Sequence, residues 1–279
     1  MKKISGAKFY LAVVFILLYL PIFYLLFYSF NVADTMNSFR GFSLVHYQTL
    51  FADSRLLIIV LHTFILAFLS ALLATLIGLA GALLIYYSKM KWLKNILLSF
   101  NNILLVSPDV IIGASFLIFF TLLGSIFRQF QLGFISVLLS HIAFSIPIVV
   151  LMVLPKLQEM NDSMVDAAAD LGASSFQIMR DIVLPFLTPG IIAGYFMAFT
   201  YSLDDFAVTF FVTGNGFSTL SVEIYSRARQ GIDLEINALS TLVFLFSFLL
   251  VLGYYFISKG NVSAKIRKNR LKRKKVDWS

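Results

Sequence analysis

The 279-residue chain is 59% hydrophobic and 13% charged, about half the charge of an ordinary soluble domain, and its mean hydropathy is +0.90. That balance excludes a typical water-soluble fold and makes membrane-spanning helices the first reading to test. There is no cysteine, which excludes a disulfide framework, a thiolate metal site and a cysteine nucleophile. The net charge of +8 gathers between apolar runs and at the ends, which reads as membrane topology and not as a nucleic-acid footprint.

Six apolar runs follow in chain order: Phe9–Phe30, Leu57–Tyr87, Ile96–Leu123, Gly133–Leu154, Gly190–Val212 and Ala238–Ile257. Each reaches the ~20 residues that cover a ~30 Å hydrocarbon core as helix. The short alternating strands of a closed barrel are missing. The expected fold is therefore all-α and integral to the membrane, with six transmembrane helices. The first run follows a basic stretch, MKKISGAK, but it is longer than a signal-peptide core and no small-residue cleavage site follows, so an uncleaved first helix is expected. The segment 31–55 is partly amphipathic and suits a membrane surface. The second run carries Ser70, Ala74, Gly78 and Ala82 at four-residue spacing, a face that lets helices approach closely. In the third run, Pro108 should disturb the helix next to Asp109.

Basic residues decide orientation. Lys2, Lys3, Lys8, Lys89, Lys91, Lys94, Lys156, Arg180 and the nine of the tail from Lys259 to Lys275 share one side. Arg40, Arg55, Arg128, Arg227 and Arg229 take the other. The first side is read as cytoplasm, with both termini inside and the tail anchored at an anionic leaflet.

The inner segment 155–189 is PKLQEMNDSMVDAAADLGASSFQIMRDIVLPFLTPG. Met164 to Leu171 reads as a short helix, capped by Asn161, Asp162 or Ser163 and ended by Gly172 in a left-handed conformation. Ser174 or Ser175 caps a second helix over Phe176–Val183, and Leu184-Pro185 and Thr188-Pro189 punctuate the approach to the membrane. A lean helix–Gly–helix knob of this kind fits a groove on another protein.

DAAADLGASSFQIMRDIVLPFLTPG resembles the EAA loop of ABC importer permeases: Ala167, Ala168, Gly172, Ala173, Phe176, Ile182, Leu184, Pro185 and Pro189 fall in place, and Asp166 stands where the family usually has Glu. VSPDVIIG, LLSHIAFSIP, DLGAS and SLDDFAVTFFVTG extend the likeness to the permease subunits of spermidine/putrescine importers. The resemblance implies a type I ABC importer permease fold that translocates polyamines. Its partners would be a dimer of cytoplasmic ATP-binding subunits, a second related permease chain, an extracytoplasmic polyamine-binding protein and the lipid bilayer, without nucleic acid, metal or cofactor. It also implies that Asp166, Ala167, Ala168, Gly172, Ala173, Phe176, Leu184 and Pro185 form the coupling loop to the ATPase. On this view residues 1–56 form an N-terminal helix and outer loop, 57–258 the permease core and 259–279 a basic tail. The chain lacks a G-x-x-x-x-G-K-[ST] stretch, so energy for uphill transport comes from a partner or an ion gradient. No catalytic residue is expected.

TYSLDDFAVTFF, residues 200–211, places two carboxylates in an apolar run. With helix through Gly190–Val212, Asp204 lies roughly 21 Å along it. A carboxylate at membrane depth costs on the order of 2.5–3.5 kcal/mol unless a partner or water meets it. The acids cap broken helix ends, or pair with Arg128, Arg227 or Arg229, or else line a path for a cationic solute. The candidate path residues are Asp205, Asp204, Asp109, Tyr201 and Glu223. On a continuous helix Asp205 shares the more polar face with Ser202 and Thr209, so Asp205 is expected on the path and Asp204 in a structural pair. Alternatives are an ion- or proton-coupled carrier that uses the same aspartates, or an ABC permease for another solute.

Overall fold

The computed structural model describes residues 6–33, 36–127, 130–230, 234–246 and 248–249. The rest of the sixth run, the tail 259–279, Lys2, Lys3 and Arg128 lie outside the described residues. In chain order the helices are α1 (Gly6–Tyr28), α2 (Val45–Ala52), α3 (Ser54–Tyr87), α4 (Lys91–Val106), α5 (Asp109–Ile126), α6 (Phe134–Gln158), α7 (Asp162–Asp170), α8 (Ser175–Ile178), α9 (Leu184–Asp204), α10 (Ala207–Val212), α11 (Leu220–Gln230) and α12 (Leu234–Phe246). No strand occurs among the described residues; one antiparallel bridge joins Asn31 to Phe42. Among the described residues, five helical stretches are long and apolar enough to cross a membrane: Lys8–Tyr28, Ser54–Tyr87, Asp109–Ile126, Phe134–Gln158 and Ser175–Asp204. Helix α12 covers the start of the sixth run.

The third run is two helices rather than one. Ser107 and Pro108 adopt extended backbone (ψ 136° and 133°), because a proline disfavours helix at the residue before it. Asp109 therefore opens α5 instead of lying midway along a span, and its charge meets the positive end of the new helix. Helix α4 buries none of its residues, so α5 is the spanning part.

The chain divides into two compact units, Met1–Ser54 with Arg227–Ser279, and Arg55–Ser226. In the first, the buried Asn31 amide clamps its loop: Nδ2 donates to the Ser38 carbonyl and Oδ1 accepts from the Arg40 amide, both at 2.8 Å. Arg227 pairs with Asp53 at 3.0 Å and Glu235 at 3.3 Å.

The second unit is built on α3, α6 and α9. One apolar cluster joins Ala82 and Ile85 of α3, Val149 and Val153 of α6 and Leu187 and Ala198 of α9. Another joins Leu66, Ile112, Phe120, Val137, Phe144, Val208 and Val212, and draws α5 and α10 onto α3 and α6. Glycines set the approach distances. A Cβ on Gly194 would stand 3.3 Å from the Val149 Cα, and one on Gly113 would stand 3.0 Å from the Val208 Cα of α10. Ser70, Ala74, Gly78 and Ala82 are all buried, so the small-residue face of α3 is used within this chain.

At Gly78 an added Cβ would lie 2.7 Å from the Val149 Cβ and 3.1 Å from the Ile146 carbonyl. Gly78→Val is therefore expected to destabilise the unit by about 1–3 kcal/mol, the usual cost of overpacking. A lower melting temperature in detergent, with less protein recovered from membranes, is the check; an unchanged melting curve would mean that α3 and α6 can separate freely.

Between α8 and α9 the backbone makes one π turn, Met179–Val183, in which the Leu184 N–H reaches back five residues to the Met179 carbonyl. A proline four residues after a carbonyl would crowd it in regular helix, and Pro185 stands in that relation to Asp181; the wider turn lets the helix run on from Ser175 to Asp204. The prolines expected to interrupt the chain here are accommodated inside helix instead.

Candidate functional site

The helix expected over Gly190–Val212 stops at Asp204. Asp205 is extended (φ −62°, ψ 120°) and α10 starts at Ala207. The side chain of Asp205 explains the break. Its Oδ2 accepts from the Thr209 amide at 2.8 Å and the Thr209 hydroxyl at 2.7 Å, and its Oδ1 accepts from the Val208 amide at 3.3 Å. A carboxylate that satisfies the first free amides of a helix stabilises that helix's start and the turn before it. The two aspartates therefore do not sit on successive positions of one helix, and the face argument drawn from that geometry does not apply. The Asp205 carboxylate is 6% exposed, whereas Asp204 is exposed.

His141 of α6, fully buried, faces this break. Its Nδ1 lies 2.7 Å from the Ser202 Oγ, its Nε2 2.8 Å from the Thr209 Oγ1 and 3.4 Å from the Asp205 Oδ2. Thr209 has one hydroxyl proton and directs it to Asp205, so its oxygen can only accept from the ring. The proton of a neutral His141 thus sits on Nε2, and Nδ1 accepts from Ser202. Ser202 in turn accepts from the Ser70 hydroxyl of α3 at 2.8 Å. Four elements are tied by one directed chain of donors, Ser70 to Ser202 to His141 to Thr209 to Asp205.

The other sequence-chosen acids divide. Asp109 is exposed and accepts from the Tyr201 hydroxyl at 2.9 Å, while the Tyr201 ring meets Phe144 edge-on at 5.1 Å. The structure brings Asp109 to Tyr201, and helical spacing sets Asp204, one turn on, on the same side of α9 as Tyr201. Glu223 is buried apart from them and pairs with Arg55 at 3.2 Å. Arg227 takes Asp53 and Glu235. Among the described residues Asp109, Asp204 and Asp205 have no ion pair with Lys or Arg. No group of three His, Cys, Asp or Glu side chains among the described residues is placed to hold a metal ion.

Sequence reasoning missed His141, the bond from Ser70 to Ser202, and the bridging of Ser202 and Thr209 through the imidazole across the break. His141 stood alone in its run, and its partners lie 61 and 68 residues away.

At the other end of α9 the inner segment forms a helical knuckle. Asn161 caps α7, its Oδ1 accepting from the Ser163 amide at 3.0 Å. Gly172 ends the helix with φ +84°; its amide donates to the Ala169 carbonyl at 2.9 Å and the Ala173 amide to the Ala168 carbonyl at 3.0 Å. This paired closure needs a residue that tolerates positive φ. Ser174 then caps α8 in a reciprocal box with Gln177. Val165, Ile178 and Met179 pack onto the core cluster, while Leu171 and Phe176 are 89% and 72% exposed. Asp166 and Ala167 are also exposed, whereas Ala168 and Ala173 are half-buried. Leu184 and Pro185 form the first turn of α9.

Residues 74–268 match the family described as binding-protein-dependent transport system inner membrane component. The chain is 36% identical over 250 residues to the spermidine/putrescine transport system permease protein PotC of Escherichia coli K12, covering 90% of this chain and 92% of that one. It is 34% identical to the putrescine transport system permease protein PotI of the same strain, over 82% of each chain. Among solved structures it resembles a chain of the MetNI methionine ABC transporter, described as inward facing, with a TM-score of 0.59 and 18% identity, covering 72% of this chain and 94% of that one. That likeness concerns the fold alone.

Proposed function

The chain belongs to the binding-protein-dependent transport system inner membrane components, and from that premise we propose that it is the permease subunit of an ABC importer carrying polyamines, spermidine and putrescine, into the cell. The observation that carries the solute class is the set of carboxylates around the α9 break that, among the described residues, no Lys or Arg neutralises. Such acids at membrane depth are expensive unless water or a passing cation meets them. Asp204, Asp109 and the Tyr201 ring supply charge and a π face to an alkylammonium group. Asp205, closed in by its cap bonds, supports this arrangement from behind, while Glu223 is held apart from it by Arg55.

ATP hydrolysis is assigned to a separate pair of cytoplasmic subunits that receive the knuckle of α7 and α8. A second permease chain and an extracytoplasmic binding protein complete the importer. The bias of Lys and Arg supports a cytoplasmic knuckle and cytoplasmic termini.

Cells without polyamine uptake of their own, given this chain with its partner subunits, are expected to accumulate labelled spermidine or putrescine in an ATP-dependent manner. Accumulation of neither would end the polyamine reading. Reporter fusions after Lys94 and after Ala264 are expected to report cytoplasm and one near Asn215 the outside. A cytoplasmic signal near Asn215 would reverse the orientation.

A further inference from the structure

We infer that His141 is a positioning residue of the solute path, fixing the α9–α10 break so that Asp204 and the Tyr201–Asp109 pair face the solute; this rests on the polyamine-import reading above.

The two sides of the break pack on different partners. Helix α9 lies against α6, where Gly190 and Gly194 give close approach, and α10 lies against α5 over Gly113. Only Asp205 and Phe206 join them. Among the described residues, His141 is the side chain outside this segment that bonds to both sides, to Ser202 on α9 and Thr209 on α10. It is fully buried, so it acts through what it holds and does not touch the solute. Ser202 is the neighbour of Tyr201, and Asp204 follows two residues on. Ser202 also holds the Ser70 hydroxyl, so the contact that decides is the one to Thr209: its loss frees the Asp205 cap and lets the last turn of α9 rotate, carrying Tyr201 off Asp109 and turning Asp204 with it. The ring cannot be replaced by an apolar group without leaving Ser202 and Thr209 in an interior where an unmet hydroxyl is costly. Its two nitrogens do different work. Nε2–H donates to Thr209 and so keeps the threonine proton on the Asp205 cap; Nδ1 accepts from Ser202. Glutamine places an amide N–H near the Nε2 position, whereas asparagine reaches only as far as Nδ1.

The test uses the complete importer with His141→Leu, His141→Asn and His141→Gln. Uptake of labelled spermidine, normalised to the amount of chain in the membrane, is expected to lose at least about tenfold in maximal rate for Leu and Asn and less than about threefold for Gln. The half-saturating concentration is expected to stay constant, because capture belongs to the separate binding protein. The second readout does not depend on the solute. The chain has no cysteine, so Asp204→Cys supplies a single thiol in it. Its modification rate by a charged thiol reagent is expected to change at least about fivefold when combined with His141→Leu or His141→Asn, and to hold with His141→Gln. Equal modification rates in all three backgrounds would overturn the inference, as would uptake lost equally in Gln and Leu at normal abundance. If the Leu variant does not accumulate, the Gln and Asn pair decides, and identical behaviour of those two is the overturning result. A wild-type importer that moves neither spermidine nor putrescine would overturn the polyamine reading, and the thiol rates would still decide the role of His141.

Discussion

Asp204→Asn and Asp109→Asn together are expected to reduce polyamine uptake by about a hundredfold or more, with the amount of chain in the membrane unchanged. A charge-assisted contact contributes about 1.5–3 kcal/mol, and each 1.4 kcal/mol is tenfold. Asparagine keeps the shape of aspartate and can still accept from the Tyr201 hydroxyl, so the substitution separates charge from packing. Both side chains are exposed and neither makes an ion pair with Lys or Arg among the described residues, so neutralising them leaves no cation stranded. Asp205 is expected to behave differently. Asp205→Ala removes a cap that serves two amides and a hydroxyl and should cost about 1–2 kcal/mol of stability, visible as a lower melting temperature in detergent. Labelled spermidine uptake and melting curves on the same preparations distinguish the two classes. Full uptake in the Asp109/Asp204 double variant would remove the cation path from this part of the molecule.

Gly172→Pro is expected to abolish copurification of the ATP-binding subunit while α3, α6 and α9 remain folded. Proline holds φ near about −65° and has no N–H, whereas Gly172 sits at φ +84° and donates to Ala169. Both features of the closure fail, and α7 no longer turns into α8 with Leu171 and Phe176 outward. Gly172→Ala is the graded control. No atom outside the immediate backbone stands within 4 Å of the added Cβ, so its cost is the positive φ alone, about 1–2 kcal/mol. Asp166→Lys reverses a charge on the exposed face of α7 and is expected to weaken docking without disturbing the fold. Pull-down from solubilised membranes reads all three. Undiminished recovery of the ATPase with Gly172→Pro would mean that docking lies elsewhere.

The run of long apolar segments and the knuckle were legible in the sequence because both rest on local rules: segment length against membrane thickness, and the spacing of caps, glycine and proline. The Gly172 closure and the Ser174 cap follow from residues within a few positions of each other. A carboxylate capping a broken helix end was one of the readings that the sequence offered, but the break's position at Asp205 was not legible. Aspartate favours helix starts and Thr209 lies four residues on, but no glycine or proline in TYSLDDFAVTFF marks where the helix stops. The stop is decided by Thr209 and by His141, which arrives from a helix more than sixty residues earlier. For the same reason the wheel-based choice between the two aspartates started from a helix that ends one residue too soon. Pro108 shows the opposite case: its local effect was foreseen, and the structure extends it to a full division into α4 and α5.

The π turn at Met179–Val183 makes residue count a form of aim. Such a turn holds one residue more than the regular helix, so everything before it is rotated about 100° relative to everything after it. Removing one residue there would return the turn to regular geometry, restore the crowding at Pro185, and swing Leu171 and Phe176 about a quarter of the way around the axis of α9. The knuckle would keep its caps and its shape and point at the wrong place. In this segment, therefore, a one-residue deletion is a change of direction, and a swap of side chains at constant length is the milder lesion.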